Sequence, residues 1–346
     1  MTELLKKLCL ECGIPGREQK IIDIMKEHLA RSCDETFVDS MGNVTGIKAS
    51  KKKNAKTLMI AGHMDEIGFV VSHLDKNGFI YFSPRGGHVP RVLISSRVKI
   101  IGRHKELIGV VEGAPSFLDP ESKGKVPEFK QMFIATGLSF KEISKQVEIG
   151  DPIVFDADFK EQGGVYISKA FDNRVGCYMV LESMRRLARK NLNVNVIALG
   201  TTQEEVGCRG IKTASKEYNP DLGIALDVTA AFDTPGVPEQ ETVSKLGQGV
   251  AIKINDQGSI SNHGMVEHLK TLARKAKIKY QMEILPFGGT DAIGMQLFGK
   301  GPVATLSIPT RFVHSPNEML HKQDLEAGIR LLCRFIETAD QVKLLF

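Results

Sequence analysis

The 346-residue sequence predicts an α/β fold: a mainly parallel, helix-covered sheet into which a small all-β domain is inserted. Three observations carry this expectation. Short, continuously apolar runs alternate with stretches of helical periodicity. Four of those runs end abruptly in polar sequence that holds His, Asp or Glu. Between residues 70 and 163 the helical texture gives way to short β-like runs. Two domains also suit the length, because a single hydrophobic core stops growing at about 250 to 300 residues.

Taken in order, Leu4, Leu5 and Leu8, then Ile21, Ile22, Met25 and Leu29, recur at helical spacing on either side of Gly13-Ile14-Pro15-Gly16, which predicts two opening helices. Lys51-Lys52-Lys53 reads as a solvated hairpin tip. Leu58-Met59-Ile60-Ala61-Gly62 predicts a buried strand that delivers His63 and Asp65. From Phe69 to Gly164, runs such as Phe79-Ile80-Tyr81-Phe82 and Val98-Lys99-Ile100-Ile101 are separated by turn residues at short intervals, without a long helix. They predict a β-rich domain over 70–163, inserted into an α/β domain made of 1–69 and 164–346. Its short strands are expected to expose edges that a second subunit would cover.

Beyond the insertion, Val175, Met179, Val180 and Leu187 mark a long helix. The strand at 194–203 ends on Glu204-Glu205, and Leu222-Gly223-Ile224-Ala225-Leu226 delivers Asp227. Met265, Leu269 and Leu272 mark another helix, and Gly288-Gly289-Thr290-Asp291-Ala292 reads as a turn opening one, with Thr290 or Asp291 as cap. Val303-Ala304-Thr305-Leu306-Ser307-Ile308 leads to His314, and Leu325, Ile329, Leu332 and Ile336 close the chain as a helix. Parallel strands present their carboxyl ends to one crevice, so four of them would gather these side chains on one edge.

Composition narrows the function classes. Hydrophobic residues at 42% and charged residues at 25% describe an ordinary globular protein, and a net charge of +5 without basic-aromatic clusters gives no reason to invoke nucleic acid. No run of about 18 apolar residues predicts a membrane span. Six scattered cysteines suit a reducing, cytoplasmic setting, and Cys9/Cys12 form a lone CxxC with no second pair to complete a metal site. The nucleophile elbow, the Walker A loop and the dinucleotide fingerprint are all missing.

What remains is imidazole and carboxylate, a donor set suited to zinc, cobalt or manganese. His63 and Asp65 stand two apart, so on extended backbone they share a side, where one could bind a metal and the other orient it. Glu204 and Glu205 would face opposite ways on a strand, separating a ligand from a proton acceptor. Asp172, in Ala170-Phe171-Asp172-Asn173-Arg174, reads as a helix cap or as a carboxylate bridging two metals, and His314 as a satisfied buried histidine or as a ligand.

In order along the chain, Gly62-His63-Met64-Asp65-Glu66, Ala170-Phe171-Asp172-Asn173-Arg174, Thr202-Gln203-Glu204-Glu205-Val206-Gly207, Leu226-Asp227-Val228, Gly288-Gly289-Thr290-Asp291-Ala292 and His314-Ser315-Pro316 resemble the glutamyl and tetrahedral aminopeptidase family of dinuclear metallopeptidases over nearly the whole length. The resemblance implies a zinc-exopeptidase-like catalytic domain with two divalent metal ions per subunit, zinc first, with cobalt or manganese as alternatives. It implies His63 and Asp227 on one metal, Glu205 and His314 on the other, and Asp172 bridging both. Asp65 would orient His63 and Glu204 would be the general base. Substrates would be peptides with a free amino terminus, and the β domain would form dimers that assemble into a dodecamer. The chain departs from the family at Arg311-Phe312, where Arg-Tyr is usual. Alternative expectations are a two-metal deacylase or other amidohydrolase, a metal-stapled scaffold without catalysis, and an endoglucanase, whose paired carboxylates would have to flank a sugar at about 5 to 9.5 Å.

Overall fold

The computed structural model describes residues 2–113 and 125–345; residues 114–124 of the expected insertion lie outside them. The chain opens with α1 (Thr2–Leu10) and α2 (Gln19–Leu29), which bury Leu5, Leu8, Ile21, Met25 and Leu29. β1 (Glu35–Val38) and β2 (Val44–Lys48) pair antiparallel, and β3 (Thr57–His63) follows, buried from Leu58 onward. Then come β4 (Gly68–Leu74), β5 (Ile80–Arg85), the single-turn helix α3 (Pro90–Leu93), β6 (Arg97–Ile101), β7 (Glu106–Gly113), β8 (Met132–Ala135), the single-turn α4 (Phe140–Ile143) and β9 (Pro152–Phe155).

These six strands close into a barrel in the order β4-β5-β8-β7-β6-β9. Strict alternation in β7 shows why: Leu107 and Val111 face a core with Phe69, Val98, Ile134 and Ile153, while Ile108 and Val110 face out. Closure pairs the edges that the sequence reading expected to be free, because a barrel leaves no unpaired strand. The barrel ends at Phe155, and β10 (Lys160–Gln162) already pairs with β11 (Val165–Ser168) in the large sheet.

The remainder alternates α5 (Phe171–Leu187), β12 (Asn195–Thr201), α6 (Arg209–Tyr218), β13 (Leu222–Ala230), β14 (Val250–Asn255), α7 (His263–Lys275), β15 (Tyr280–Ile284), α8 (Ala292–Phe298), β16 (Val303–Arg311), β17 (Glu318–His321) and α9 (Lys322–Thr338). No helix among the described residues is long and apolar enough to cross a membrane. At the centre of the eleven-stranded sheet, β12, β3, β13 and β16 lie side by side and parallel; these are the four apolar runs of the sequence. Antiparallel partners extend both sides, β2 beyond β12 and both β14 and β17 beyond β16. Because β12 separates β2 from β3, residues 51–53 are not a hairpin tip but a solvated crossing, where Lys52 Nζ lies 3.1 Å from Asp340.

Register positions the site. Thr201 pairs with His63, and Ala225 with Ala61, so Asp227 lies level with His63 one strand away. α5 packs onto β3 through two glycines: a Cβ on Gly62 would stand 2.5 Å from the Gly176 carbonyl carbon and 2.8 Å from the Cys177 nitrogen. This contact brings the start of α5, and with it Asp172, over the end of β3. The obstructing atoms are backbone and cannot rotate away. Gly62→Ala should therefore cost about 1–3 kcal/mol of stability, read as a lower denaturant midpoint; an unchanged midpoint would show that α5 and β3 can separate freely.

Candidate active site

At the carboxyl edge of the parallel strands, His63 Nε2 lies 3.2 Å from Asp172 Oδ1, 3.7 Å from Glu204 Oε2 and 3.9 Å from Asp227 Oδ1. On the other side, His314 Nε2 lies 3.3 Å from Asp172 Oδ2 and 3.2 Å from Glu205 Oε1. Asp172 thus offers one carboxylate oxygen to each imidazole. His63, Asp172 and Asp227 form one group with the spacing to hold a metal ion, and Asp172, Glu205 and His314 form a second. All seven residues singled out in the sequence are brought to this edge, Asp65 as a support behind it.

Local structure explains how each side chain is freed for the site. The helical cap at the start of α5 is supplied by Asn173, whose Oδ1 accepts the Gly176 N–H at 2.9 Å while its Nδ2 donates to the Leu226 carbonyl at 2.7 Å. Asp172 has non-helical backbone and caps nothing. Glu204 and Glu205 lie not on a strand but in the turn after β12. Asp65, fully buried, accepts the N–H groups of Glu204 at 3.0 Å and Glu205 at 3.1 Å, and its own backbone carbonyl accepts His63 Nδ1 at 3.0 Å. The carboxylate is 3.6 Å from that nitrogen, so the main chain of Asp65 makes the closer contact with His63. Glu18 accepts the Gln203 N–H at 3.2 Å.

Several contributors escaped the sequence reading. Glu318 on β17 is buried and accepts the backbone N–H of Asp172 at 3.0 Å and of His314 at 2.8 Å, tying together two segments far apart in sequence. Its position four residues after His314 was the available signal. Glu66 forms a buried cluster with Lys169 at 2.6 Å and Arg174 at 3.2 Å, and these two bases flank the Asp172 segment. Asp291 accepts the Thr201 hydroxyl at 2.5 Å, whereas Thr290 caps α8 by accepting the Ala292 N–H at 3.2 Å. From the barrel, the Gly86-Gly87 segment approaches the site so closely that a Cβ on Gly86 would meet Glu205 Oε2 at 3.2 Å. Phe312 is half exposed and offers no hydroxyl.

Electrostatics describe a site with too much negative charge. Burial opposes the charged form of His63, yet Glu204, Asp172, Asp65 and Asp227 outweigh it and raise the imidazole well above its ordinary range. His314 is pushed up to about 12, burial again being overcome by Glu205 and Asp172. Burial raises Glu204 and Asp227 well above ordinary carboxylates and raises Glu205 too, although neighbouring histidines oppose it. Burial likewise brings Asp291 to about 6 and Glu318 to about 8, in the latter with Asp172 adding to it. Asp172 alone goes down, its burial outweighed by hydrogen bonds from His314 and His63.

Four acidic side chains therefore face two imidazoles in low dielectric, and enclosed charge without a counter-charge is costly. Glu205 Oε1, although 3.2 Å from His314 Nε2, finds no aligned donor. A pair of divalent cations would answer both the charge excess and the unused oxygen, and imidazole with carboxylate is the donor set such cations take.

Comparison with known proteins identifies relatives of the whole chain. A lysyl aminopeptidase of Pyrococcus furiosus is 32% identical over 344 residues, covering 97% of this chain and 96% of the relative. The solved aminopeptidase APDkam598 of Desulfurococcus kamchatkensis superposes with a TM-score of 0.92 at 37% identity, over 97% of this chain and 94% of that one. The TET1 peptidase of Pyrococcus horikoshii, described as assembling into a tetrahedron or a large octahedral shell, gives a TM-score of 0.86 at 28% identity, over 97% and 98%. The family model described as M42 glutamyl aminopeptidase matches residues 42–331, and the chain belongs to that family of metal-dependent peptide hydrolases.

Proposed function

We propose that this aminopeptidase removes the amino-terminal residue from peptides with two divalent cations, one held by His63 and Asp227, the other by Glu205 and His314, with Asp172 held by both. The observation that carries the reading is the Asp172 carboxylate, with one oxygen 3.2 Å from His63 Nε2 and the other 3.3 Å from His314 Nε2. Zinc fits this oxygen and nitrogen donor set, as do cobalt and manganese. When bound, such cations supply Lewis acidity, lowering the pKa of water from ~15.7 towards ~7 and polarising the scissile carbonyl.

The chain's own groups do the rest. Glu204, 3.7 Å from His63 and outside both cation groups, accepts the proton of the attacking water and returns it to the leaving amine. Asp65 fixes Glu204 and Glu205 through their backbone amides and so sets the direction of both carboxylates. The likeness to aminopeptidases over nearly the whole chain favours an aminopeptidase over a deacylase. The six free cysteines accord with a cytoplasmic setting.

The barrel reads as an inserted assembly domain. The chain enters and leaves it at neighbouring positions, Phe69 pairing with Ile153, as an insertion requires. A closed barrel offers no free edge, so association would use exposed apolar side chains of this domain, among them Ile108 and Val110 on β7, Phe140 and Ile149. Two-fold contacts there, extended by other faces, would build the closed dodecamer.

Metal-depleted protein should lose release of amino-terminal residues from unblocked peptides and regain it with zinc, cobalt or manganese, leaving N-acetylated peptides intact. Full activity in rigorously metal-free protein contradicts the reading, and preference for the acetylated peptide converts it to a deacylase. Light scattering addresses assembly: the intact chain should be oligomeric, and a form with residues 69–156 replaced by a glycine-serine linker monomeric. An intact monomer at micromolar concentration, or an unchanged oligomer after deletion, removes the barrel from that role.

A further inference from the structure

Glu204 reaches the site from a turn, so its side-chain torsions need a local restraint to hold the carboxylate in place. Its own carbonyl accepts the N–H groups of Gly207 and Cys208, both at 2.8 Å. This closes the turn, with Gly207 at φ 117° and Cys208 at φ 50°, and folds residue 208 back over residue 204. Cys208 Sγ then lies 3.1 Å from Glu204 Oε1, while Oε2 is the oxygen facing His63. The thiol has little freedom to leave. Cys208 is 6% exposed and packed in an apolar cluster with Met59, Ala61, Ile211 and Met295, and its alternative acceptor, the Thr290 carbonyl, is farther away at 3.7 Å.

Resting on the reading of Glu204 as proton acceptor, we propose that Cys208 is a positioning residue for it. The Cys208 thiol donates to Glu204 Oε1 and thereby turns Oε2 toward the reacting water. No bond to substrate is involved, and the thiol remains a thiol. An S–H group is a weak donor, so the contribution is modest, and a hydroxyl at the same position can replace it.

The test compares Cys208→Ala, Cys208→Val, Cys208→Ser and Glu204→Gln on an unblocked peptide, with metal content and thermal melting measured for each. Removing this one weak hydrogen bond should lower kcat by about 3- to 10-fold in Cys208→Ala and Cys208→Val, with KM and metal content unchanged. Cys208→Ser, which keeps a donor, should recover most of that loss. Glu204→Gln should lose at least ~10²-fold, the low end for a general base.

The infrared difference between wild type and Cys208→Ala adds a readout independent of turnover. It should contain an S–H stretch lowered by hydrogen bonding, and a band at the frequency of an unbonded thiol overturns the proposal. So does wild-type kcat in Cys208→Ala, or a loss in Cys208→Ser as large as in Cys208→Ala, which would assign the residue to packing. Near-normal turnover in Glu204→Gln would instead remove Glu204 as the base, a failure of the underlying reading that the Cys208 variants alone cannot mimic.

Discussion

The Asp172 carboxylate, shared between an imidazole at the end of β3 and another beyond β16, is the interaction on which the rest of the site depends. Two residues separated by most of the chain reach one carboxylate only if the sheet register, the seat of α5 and the loop after β16 are all fixed. Each has a visible restraint: the Gly62–Gly176 contact seats α5, Asn173 takes over helix capping, and Glu318 clamps the backbone amides of Asp172 and His314 with its two oxygens. The central parallel strands then supply Asp227 level with His63 and deliver the Glu204-Glu205 turn next to it.

This arrangement concentrates charge that folding alone would disfavour. His63 and Asp227 are buried and Asp172, Glu204 and Glu205 nearly so, while the bases nearest to the Asp172 segment, Lys169 and Arg174, are committed to Glu66. Cations held there would link binding to folded-state stability, because they would relieve repulsion that exists only when the site is assembled. The same logic would separate the roles proposed for the paired glutamates. Glu205 faces His314 in one cation group, whereas Glu204 is held outside both groups by the turn that Asp65 anchors.

Much of this was legible in the sequence because strand ends advertise themselves. The apolar runs before His63, Glu204, Asp227 and His314 are the four parallel central strands, and parallel strands must present their carboxyl ends together. Whatever depends on contacts between distant segments was not legible. Adjacent glutamates look like strand residues with opposite faces until the turn is seen. Nothing in periodicity marks Glu318 as a clamp, since a lone acidic residue after a Ser-Pro turn is ordinarily a surface group. Closure of the barrel, and the position of β12 between β2 and β3, also follow from long-range pairing that local pattern does not encode. Asp65 was recognisable as a partner of the site by its spacing from His63, but its carboxylate supports the Glu204-Glu205 turn more closely than the imidazole.

The most direct measurement of the central claim is metal stoichiometry at equilibrium for the wild type and Asp172→Asn, by dialysis against zinc followed by elemental analysis. The substitution preserves shape and removes the charge that both cation groups share. The account predicts two equivalents per chain in the wild type and a loss of bound metal, with much weakened affinity for what remains, in Asp172→Asn. Two equivalents bound with unchanged affinity in Asp172→Asn would show that the two half-sites do not depend on a shared carboxylate.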